Sequence, residues 1–254
     1  MRYLIVSDIH GNREALDAVL KDARGKYDAA ICCGDLCDYG PDSNYVIDWA
    51  RANLGAVIRG NHDRVCSGLD TLDLFSDLAR ASAKWTMEQL TPENRTYLRE
   101  LPQGPRVIDD CLILVHGSPR DEDEYVTNMK EVGEVFSFLA EFTESDVGLP
   151  IFFGHTHMQG VFLRAEGRTR GISPPLTPMP EARIGLEPGA AYLINPGSVG
   201  QPRDSDPRAA YAIFDSKKRQ VALRRVPYNH LATERKIVAA GLPIRLGVRL
   251  AFGR

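Results

Sequence analysis

Short apolar runs alternate with helical stripes over the first part of the chain. An apolar run at residues 2–6 predicts a strand, and apolar side chains then recur at helical spacing over residues 16–23, behind Asn12, a good helix N-cap. The alternation repeats over residues 29–61, where two apolar runs flank one helical face. Strands that alternate with helices in this way indicate an α/β core.

Two segments of helical character, residues 68–101 and 121–143, are interpreted as insertions into this core. The second begins with an acidic run, which we interpret as a solvated face or as a screen against highly charged substrates. Either segment could close over a functional site as a lid. In the first segment one helical face carries Leu74, Leu78 and Ala81.

The second half of the chain is rich in short strands separated by turn residues, which predicts an antiparallel or mixed sheet. Residues 167–189 are rich in proline and arginine and are predicted to form a long surface loop. In the tail, residues 231–254, the apolar pattern fits a strand and a helix equally well. We expect a single domain over residues 1–254.

Composition and charge exclude several classes of protein. The 254 residues are 43% hydrophobic, which suffices for a folded core, and their net charge is −3. A chain without a basic excess is not expected to bind nucleic acid polymers, and no apolar run reaches the length of a membrane span. Five cysteines without CxxC spacing are typical of a reducing compartment, so we expect a cytoplasmic protein. The oligomeric state is left open.

Five of the six histidines lie in short segments with Gly, Asn or Asp at the ends of predicted strands. A single histidine in such a place is more often structural than a ligand, but five of them form a joint pattern. They occur with Asp and Asn residues in the segments SDIHGN, GDLCDYG, RGNHD, VHG and GHTH. The candidate residues are Asp8, His10, Asp35, Asp38, Asn61, His62, His116, His155 and His157.

In this order the segments resemble the motif series of the calcineurin-like metallophosphoesterases, namely DxH, GDxxD, GNH followed by an acidic residue, a later His, and GHxH. The resemblance covers residues 8–157. The segment INPGSVGQPRD, residues 194–204, is similar to the closing motif of the bacterial branch that includes diadenosine tetraphosphatases and small phosphodiesterases. The resemblance implies an α/β fold, a four-layer αββα sandwich of two mixed β-sheets flanked by helices, with the metal site on loops at strand ends.

The resemblance also implies two divalent metal ions bridged by Asp35. Mixed imidazole and oxygen ligands suit manganese, iron, nickel or zinc better than calcium, and among these we expect manganese. A hydroxide that bridges the ions would attack phosphorus in line. One ion would be held by Asp8, His10, Asp35 and His157, and the other by Asp35, Asn61, His116 and His155.

His62 is the motif histidine that remains once the family pattern has assigned the ligands, and we expect it to be the general acid that protonates the leaving oxygen. Asp38 matches the family position that orients this histidine and would raise its pKa, although it could merely cap a turn. At Tyr39 the chain departs from the protein-phosphatase pattern, which has an arginine there.

These features predict a hydrolase that cleaves phosphodiester or phosphoanhydride bonds in a small nucleotide, such as diadenosine tetraphosphate or a cyclic nucleotide. A phosphomonoesterase or a protein Ser/Thr phosphatase is the first alternative, and activity on monoester and diester reporters would separate the two. A catalytically silent binding scaffold is the second alternative. Scaffold relatives lack metal ligands or the acid histidine, and this chain has both.

Five further residues are candidate substrate contacts. Tyr39 could stack on a base or pack inside, and Arg203 could bind a second phosphate or be solvated. Turn chemistry alone explains residues 195–198, which the resemblance places beside the metals. The candidates are Asn12, Tyr39, Asn195, Ser198 and Arg203.

Overall fold

Within residues 1–142, 148–172 and 180–254, which a computed structural model describes, twelve strands build two six-stranded sheets. The strands are β1 (Arg2–Val6), β2 (Ala29–Cys32), β3 (Ala56–Val57), β4 (Arg106–Ile108), β5 (Leu112–Leu114), β6 (Ile151–Phe152), β7 (Gly160–Ala165), β8 (Arg168–Ile172), β9 (Glu181–Gly185), β10 (Ala191–Asn195), β11 (Ala209–Asp215) and β12 (Gln220–Val226). The first sheet has the order β3-β2-β1-β11-β12-β9 and the second β4-β5-β6-β10-β7-β8. Both sheets are mixed, because β1, β2 and β3 are parallel, as are β5, β6 and β10, while the other pairs are antiparallel.

Eight α-helices and one 3₁₀ helix accompany the sheets in the described part of the chain. The α-helices are α1 (Arg13–Ala23), α2 (Ser43–Asn53), α3 (Asn61–Ser67), α4 (Asp77–Gln89), α5 (Pro92–Glu100), α6 (Met129–Phe142), α7 (His230–Ala239) and α8 (Ile244–Val248), and the 3₁₀ helix is Arg249–Phe252. None of these helices is long and apolar enough to cross a bilayer.

The two sheets pack face to face through alternate side chains of their strands. In β1, Tyr3 and Ile5 point into the layer between the sheets, whereas Leu4 and Val6 point to the outer layer that α1 and α2 cover. On the outer face of the second sheet, α6 packs its buried side chains Val132, Val135 and Phe136 against β5, β6 and β10. The predicted four-layer sandwich is therefore confirmed.

The first helical insertion exists, but its buried face differs from the predicted one. Leu74 precedes α4 and is 89% exposed, and Ala81 is exposed as well. The helix begins after Ser76, whose side chain accepts a hydrogen bond from Ala79 N–H at 3.3 Å. Its buried face consists of Ala79, Ser82, Ala83 and Thr86. The two hydroxyl residues lie against Asp38, whereas the two alanines belong to apolar clusters.

The acidic run at the start of the second insertion is not the solvated face that was predicted. Glu122 is 8% exposed and forms an ion pair with Arg59 at 3.0 Å and another with Arg64. Asp123 also pairs with Arg64, at 2.8 Å. A buried carboxylate requires such partners, since it is unstable alone in a low-dielectric interior.

The prediction of a surface loop over residues 167–189 is wrong toward both ends of that segment. Residues 168–172 form β8, which pairs with β7 in a hairpin, and residues 181–185 form β9, at the edge of the first sheet. Arginine side chains suit such mostly exposed edge strands. Two parts of the predicted segments lie outside the described residues: residues 173–179, in the middle of this loop, and residue 143, the last of the second insertion. The tail, whose pattern left two options, is helical.

Candidate metal centre and active site

The predicted ligands come together because the strands that precede them end at the same edge of the sandwich. Asp8 and His10 follow β1, and Asp35 follows the parallel β2. In the second sheet, His116 follows β5 and His155 follows the parallel β6. The backbone N–H of His155 donates to Asp8 Oδ1 at 3.1 Å, which links the loops of the two sheets. All of these residues are buried.

Ligand atoms in this cluster form two groups that share Asp35. In the first group, His10 Nε2 lies 3.1 Å from His157 Nε2 and 3.5 Å from Asp35 Oδ2, and His157 Nε2 lies 3.4 Å from Asp8 Oδ1. The ligand atoms of these four residues all lie within 4.8 Å of one another, as do those of the second group, Asp35, His116 and His155.

Asn61 adds an amide oxygen to the second group. Its Oδ1 lies 3.1 Å from His116 Nε2, which lies 3.4 Å from Asp35 Oδ2. Asn61 is the first residue of α3, the element that follows β3. The structure thus brings all seven predicted ligands into one buried cluster.

Backbone carbonyls orient the histidine rings. The Nδ1 atoms of His10 and His157 lie 2.9 Å and 2.7 Å from the carbonyl oxygens of Cys37 and Gln201. An Nδ1–H that donates to a carbonyl leaves the Nε2 lone pair facing the cluster. Two such lone pairs 3.1 Å apart cannot hydrogen-bond to each other, so a cation between them accounts for their approach.

The charges of the cluster also fit a divalent cation. Asp8 Oδ2 and Asp35 Oδ2 are buried and have no hydrogen-bond partner in the described chain. Burial lowers the pKa of His10 and of His157 well below the usual value, so both rings are neutral. Burial opposes ionisation of Asp35, but the charges of His116 and His62 outweigh it and hold the pKa of this carboxyl well below its usual range. Imidazole nitrogens and carboxylate oxygens together are the donor set of a transition-metal or zinc site.

Several ligands have a strained backbone. Asp8, His10, Asp35, His155 and His157 all have φ between 48° and 62°, in the left-handed region that disfavours side chains with a Cβ. Each such residue costs on the order of 1–3 kcal/mol and persists only where its surroundings impose it. The concentration of strain here indicates that these loops are shaped for the site rather than for stability.

Asp63 is the main organiser of the Asp35 loop. Its buried carboxylate accepts four backbone N–H groups: those of Asp35 at 2.8 Å, Leu36 at 2.9 Å, Cys37 at 3.3 Å and Gly60 at 3.0 Å. Read from the sequence, Asp63 could be explained as part of a helix cap, and the bond to Gly60 N–H, just before α3, is of that kind. The bonds from Asp35, Leu36 and Cys37 join residues far apart in the sequence, so no local sequence pattern predicts them.

Asp38 and His62 form a hydrogen-bonded pair at the edge of the cluster. His62 Nδ1 lies 2.6 Å from Asp38 Oδ2, and both residues are buried. Burial lowers the pKa of His62, but the charge of Asp35 and the hydrogen bond to Asp38 outweigh it, so the net shift is upward. Asp38 therefore does more than cap a turn.

Two hydroxyl groups of α4 hold Asp38 in place. Ser82 Oγ donates to Asp38 Oδ1, and Thr86 Oγ1 lies 3.4 Å from the same oxygen. The backbone N–H of Tyr39 donates to that oxygen as well, at 2.7 Å. Sequence reasoning missed this role of Ser82 and Thr86, although hydroxyl residues four apart on one helical face were a usable signal.

Tyr39 packs inside the site. Its ring is 8% exposed and its centroid lies 4.7 Å from the ring centroids of both His10 and His62. The guanidinium carbon of Arg203 lies 5.8 Å from the Tyr39 ring centroid. Of the two interpretations of Tyr39, packing describes the structure better than stacking on a base.

Three of the predicted substrate contacts support the backbone of the site. Asn12 caps α1 and donates to Gly200 O at 2.8 Å. Asn195 donates to Gly154 O at 3.0 Å, and Ser198 donates to Asp8 O at 2.8 Å. All three side chains are buried and their polar atoms are used within the chain. Their contact with substrate stays a prediction.

Two aromatic rings at the mouth of the site were missed by sequence reasoning. Tyr125 is 51% exposed and its ring centroid lies 3.9 Å from that of His155. Phe75, which is half-buried, lies 4.6 Å from His62 between ring centroids. Each ring therefore borders one end of the histidine cluster.

Comparison with known proteins agrees with this geometry. Residues 1–219 match the calcineurin-like phosphoesterase superfamily domain. The chain is 34% identical to the uncharacterized protein MJ0912 of Methanocaldococcus jannaschii, in an alignment that covers 98% of this chain and 97% of its relative. A metallophosphoesterase from Sphaerobacter thermophilus is 37% identical and superposes with a TM-score of 0.83, covering 100% of this chain and 99% of the other.

The hypothetical protein PH1004 from Pyrococcus horikoshii has the same fold, with a TM-score of 0.73 at 19% identity, covering 100% of this chain and 98% of the other. The family match extends over the strands, loops and helix that carry all seven ligands and the Asp38–His62 pair. The chain therefore belongs to the calcineurin-like phosphoesterase superfamily and is a phosphoric ester hydrolase.

Proposed function

We propose that this chain hydrolyses phosphodiester or phosphoanhydride bonds in a small nucleotide, such as a dinucleoside polyphosphate or a cyclic nucleotide. The observation that carries the proposal is the 2.6 Å contact between His62 Nδ1 and Asp38 Oδ2 beside the ligand cluster. The alkoxide that leaves from a nucleotide diester needs a proton, and this pair can supply it; the phosphate that leaves from an anhydride is a weaker base and gains less from it.

Two divalent ions, of manganese, iron, nickel or zinc, would be held by the two ligand groups that share Asp35. When bound, they supply the positive charge that attracts and polarises a phosphate and lowers the pKa of water. Asp8 and Asp35 contribute only two negative charges to this cluster, so the loaded site stays electropositive without a basic protein surface.

His62 would act as the general acid. With Nδ1 bonded to Asp38, its Nε2 makes no hydrogen bond to a described residue and is the atom left to donate a proton. Asp38 stabilises the imidazolium and fixes the ring, while Ser82 and Thr86 fix Asp38. This arrangement keeps the proton at Nε2 until the leaving oxygen takes it.

Aromatic rings at the mouth support a nucleotide as the substrate. Tyr125 and Phe75 border the His155 and His62 ends of the cluster. Aromatic side chains with an open face bind bases by stacking, worth about 1–3 kcal/mol per base.

We also propose that the chain works in a reducing compartment such as the cytoplasm, because its five cysteines are all free.

The test compares substrates that differ in their leaving group. Manganese-loaded protein is assayed on bis-p-nitrophenyl phosphate, p-nitrophenyl phosphate, diadenosine tetraphosphate and 3′,5′-cyclic AMP. His62→Asn should slow cleavage of the cyclic nucleotide roughly 10²- to 10⁴-fold, because its leaving ribose alkoxide needs a proton. Cleavage of the nitrophenyl diester and of diadenosine tetraphosphate should slow less, because nitrophenolate and a nucleoside phosphate leave without one. His230→Asn, which removes the one histidine outside the cluster, is the matched control.

Equal losses of His62→Asn on cyclic AMP and on the nitrophenyl diester would contradict the general-acid role. Preference for the monoester reporter would favour the phosphomonoesterase. Asp35→Asn should abolish all four activities, and activity that survives it would contradict the shared metal site.

A further inference from the structure

The loop that joins β10 to β11 holds His157 by both its ring and its backbone. The Nδ1 atom of His157 lies 2.7 Å from the carbonyl oxygen of Gln201, and its own carbonyl oxygen accepts the backbone N–H of Arg203 at 3.2 Å. The φ of His157 is 59°, in the left-handed region. Such a conformation persists only where the surroundings impose it, so the position of this ligand depends on the loop.

A largely buried carboxylate ties the same loop to the chain that follows His157. Asp204 Oδ2 accepts the backbone N–H of Gln159, two residues after His157, at 3.0 Å. The side chain of Asp204 is 10% exposed. Asp204 therefore closes the loop and the histidine segment on each other.

Arg225 holds Asp204 and Gln159 together from the first sheet. Its Nη2 donates to Asp204 Oδ2, and its Nε donates to Gln159 Oε1 at 3.0 Å. In β12, Val221 and Leu223 point into the layer between the sheets, and Arg225 continues the same face of the strand. A guanidinium buried in this layer requires a carboxylate partner, and Asp204 supplies it.

The ion pair between Arg225 and Asp204 is not arranged for stability alone. Asp204 Oδ1 is buried and has no hydrogen-bond partner in the described chain, which costs free energy. Apolar side chains of similar volume in place of a buried ion pair are often neutral or stabilising. What this pair adds is a fixed geometry, because Arg225 binds the side chain of Gln159 while Asp204 binds its backbone.

We propose that Arg225 is a positioning residue for the metal site and acts on His157 through Asp204 and Gln159. The proposal rests on the proposed two-metal site and concerns the ion of the first ligand group, to which His157 belongs. Hydrogen bonds lead from Arg225 to Gln159, directly and through Asp204, and two residues of backbone lead on to His157. Asn61, in the second group, lies on α3, outside this network.

The test is calorimetric titration of the metal-free protein with manganese, for wild type, Arg225→Met and Arg225→Lys. In Arg225→Met one of the two ions should bind roughly 10- to 100-fold more weakly, as on loss of a residue that supports a metal ligand. In Arg225→Lys the loss should be smaller, because lysine keeps a charge for Asp204 but lacks the Nε that holds Gln159.

The matched control is Arg224→Met, at the neighbouring position of β12. Arg224 points to the side of α1, where its Nε lies 3.0 Å from Asp22 Oδ2. The substitution removes the same side chain and breaks a comparable ion pair, so both ions should bind to Arg224→Met as they bind to wild type. An equal loss of manganese affinity in Arg224→Met and Arg225→Met would overturn the proposal.

A double variant separates positioning from a general loosening of the fold. His157→Asn removes the ligand on which Arg225 acts, so the double variant with Arg225→Met should bind manganese as His157→Asn alone does. Further weakening in the double variant would overturn the proposal, and so would equal weakening of both ions in Arg225→Met.

Circular dichroism checks that each variant is folded. Wild-type affinity for both ions in a folded Arg225→Met would also overturn the positioning role. If Arg225→Met does not fold, Arg225→Lys decides in the same way, because wild-type affinity for both ions there contradicts the role of the Nε contact. Failure of wild type to bind two manganese ions would instead contradict the proposed function.

Discussion

Replacement of Asp63 by Asn tests how strongly the metal-binding loop depends on one carboxylate. Oδ2 of Asp63 accepts the N–H groups of Asp35 and Gly60, and Oδ1 accepts those of Leu36 and Cys37. The amide of Asn retains one of these oxygens and replaces the other by an NH₂ group. Two buried N–H donors would then face a donor instead of an acceptor.

The size of the effect follows from those two donors. A buried donor left unsatisfied costs about 1–3 kcal/mol, so Asp63→Asn should lower the free energy of unfolding by roughly 2–6 kcal/mol. This is a large part of the roughly 5–15 kcal/mol of a typical domain. Burial, and then the charge of Asp35, raise the pKa of Asp63 to about 6. Removal of the charge relieves both effects and so moves the loss toward the lower end of this range.

The assay is urea unfolding followed by circular dichroism, together with the number of manganese ions retained after dialysis. We expect lower stability and fewer ions, because the Asp35 loop carries the shared ligand. Asp77→Asn, at a fully exposed carboxylate, should leave both quantities unchanged. A free energy of unfolding within about 1 kcal/mol of wild type would show that the four N–H groups do not depend on this carboxylate.

Three further predictions follow from other contacts. Gly154→Ala should reduce the yield of folded protein and its metal content, because a Cβ there would lie 2.0 Å from Ser7 Oγ and 2.8 Å from Asp8 Oδ2; gel filtration and metal analysis check this. Ser82→Ala should lower kcat with full metal occupancy, because it removes a donor to Asp38, and an unchanged kcat would exclude a positioning role for Ser82. Manganese at 100 times its dissociation constant should stabilise the protein by about 2.7 kcal/mol per site, which raises Tm by roughly 5–11 °C, and a chelator should reverse the shift.

Motifs at strand ends made much of the fold and the ligand cluster predictable. Each ligand segment has its own local signal, a short apolar run followed by Asp, Asn, Gly or His, and the common edge of parallel strands then brings the segments together. The partners of the supporting side chains had no such signal. Ser82 meets Asp38 across 44 residues and Glu122 meets Arg64 across 58, and no local pattern reports which distant side chain will be the partner. The acidic run at 121–124 was misread for this reason.

The tail shows the same limit for secondary structure. Its apolar positions fit a strand and a helix equally, because residues 244–252 alternate and also repeat at helical spacing. Burial of Leu246 and Leu250 against Tyr39 selects the helix, since the two side chains lie four residues apart and share one helical face. The choice of helix over strand in the tail therefore has a tertiary cause: the apolar surface that the active-site loop presents around Tyr39.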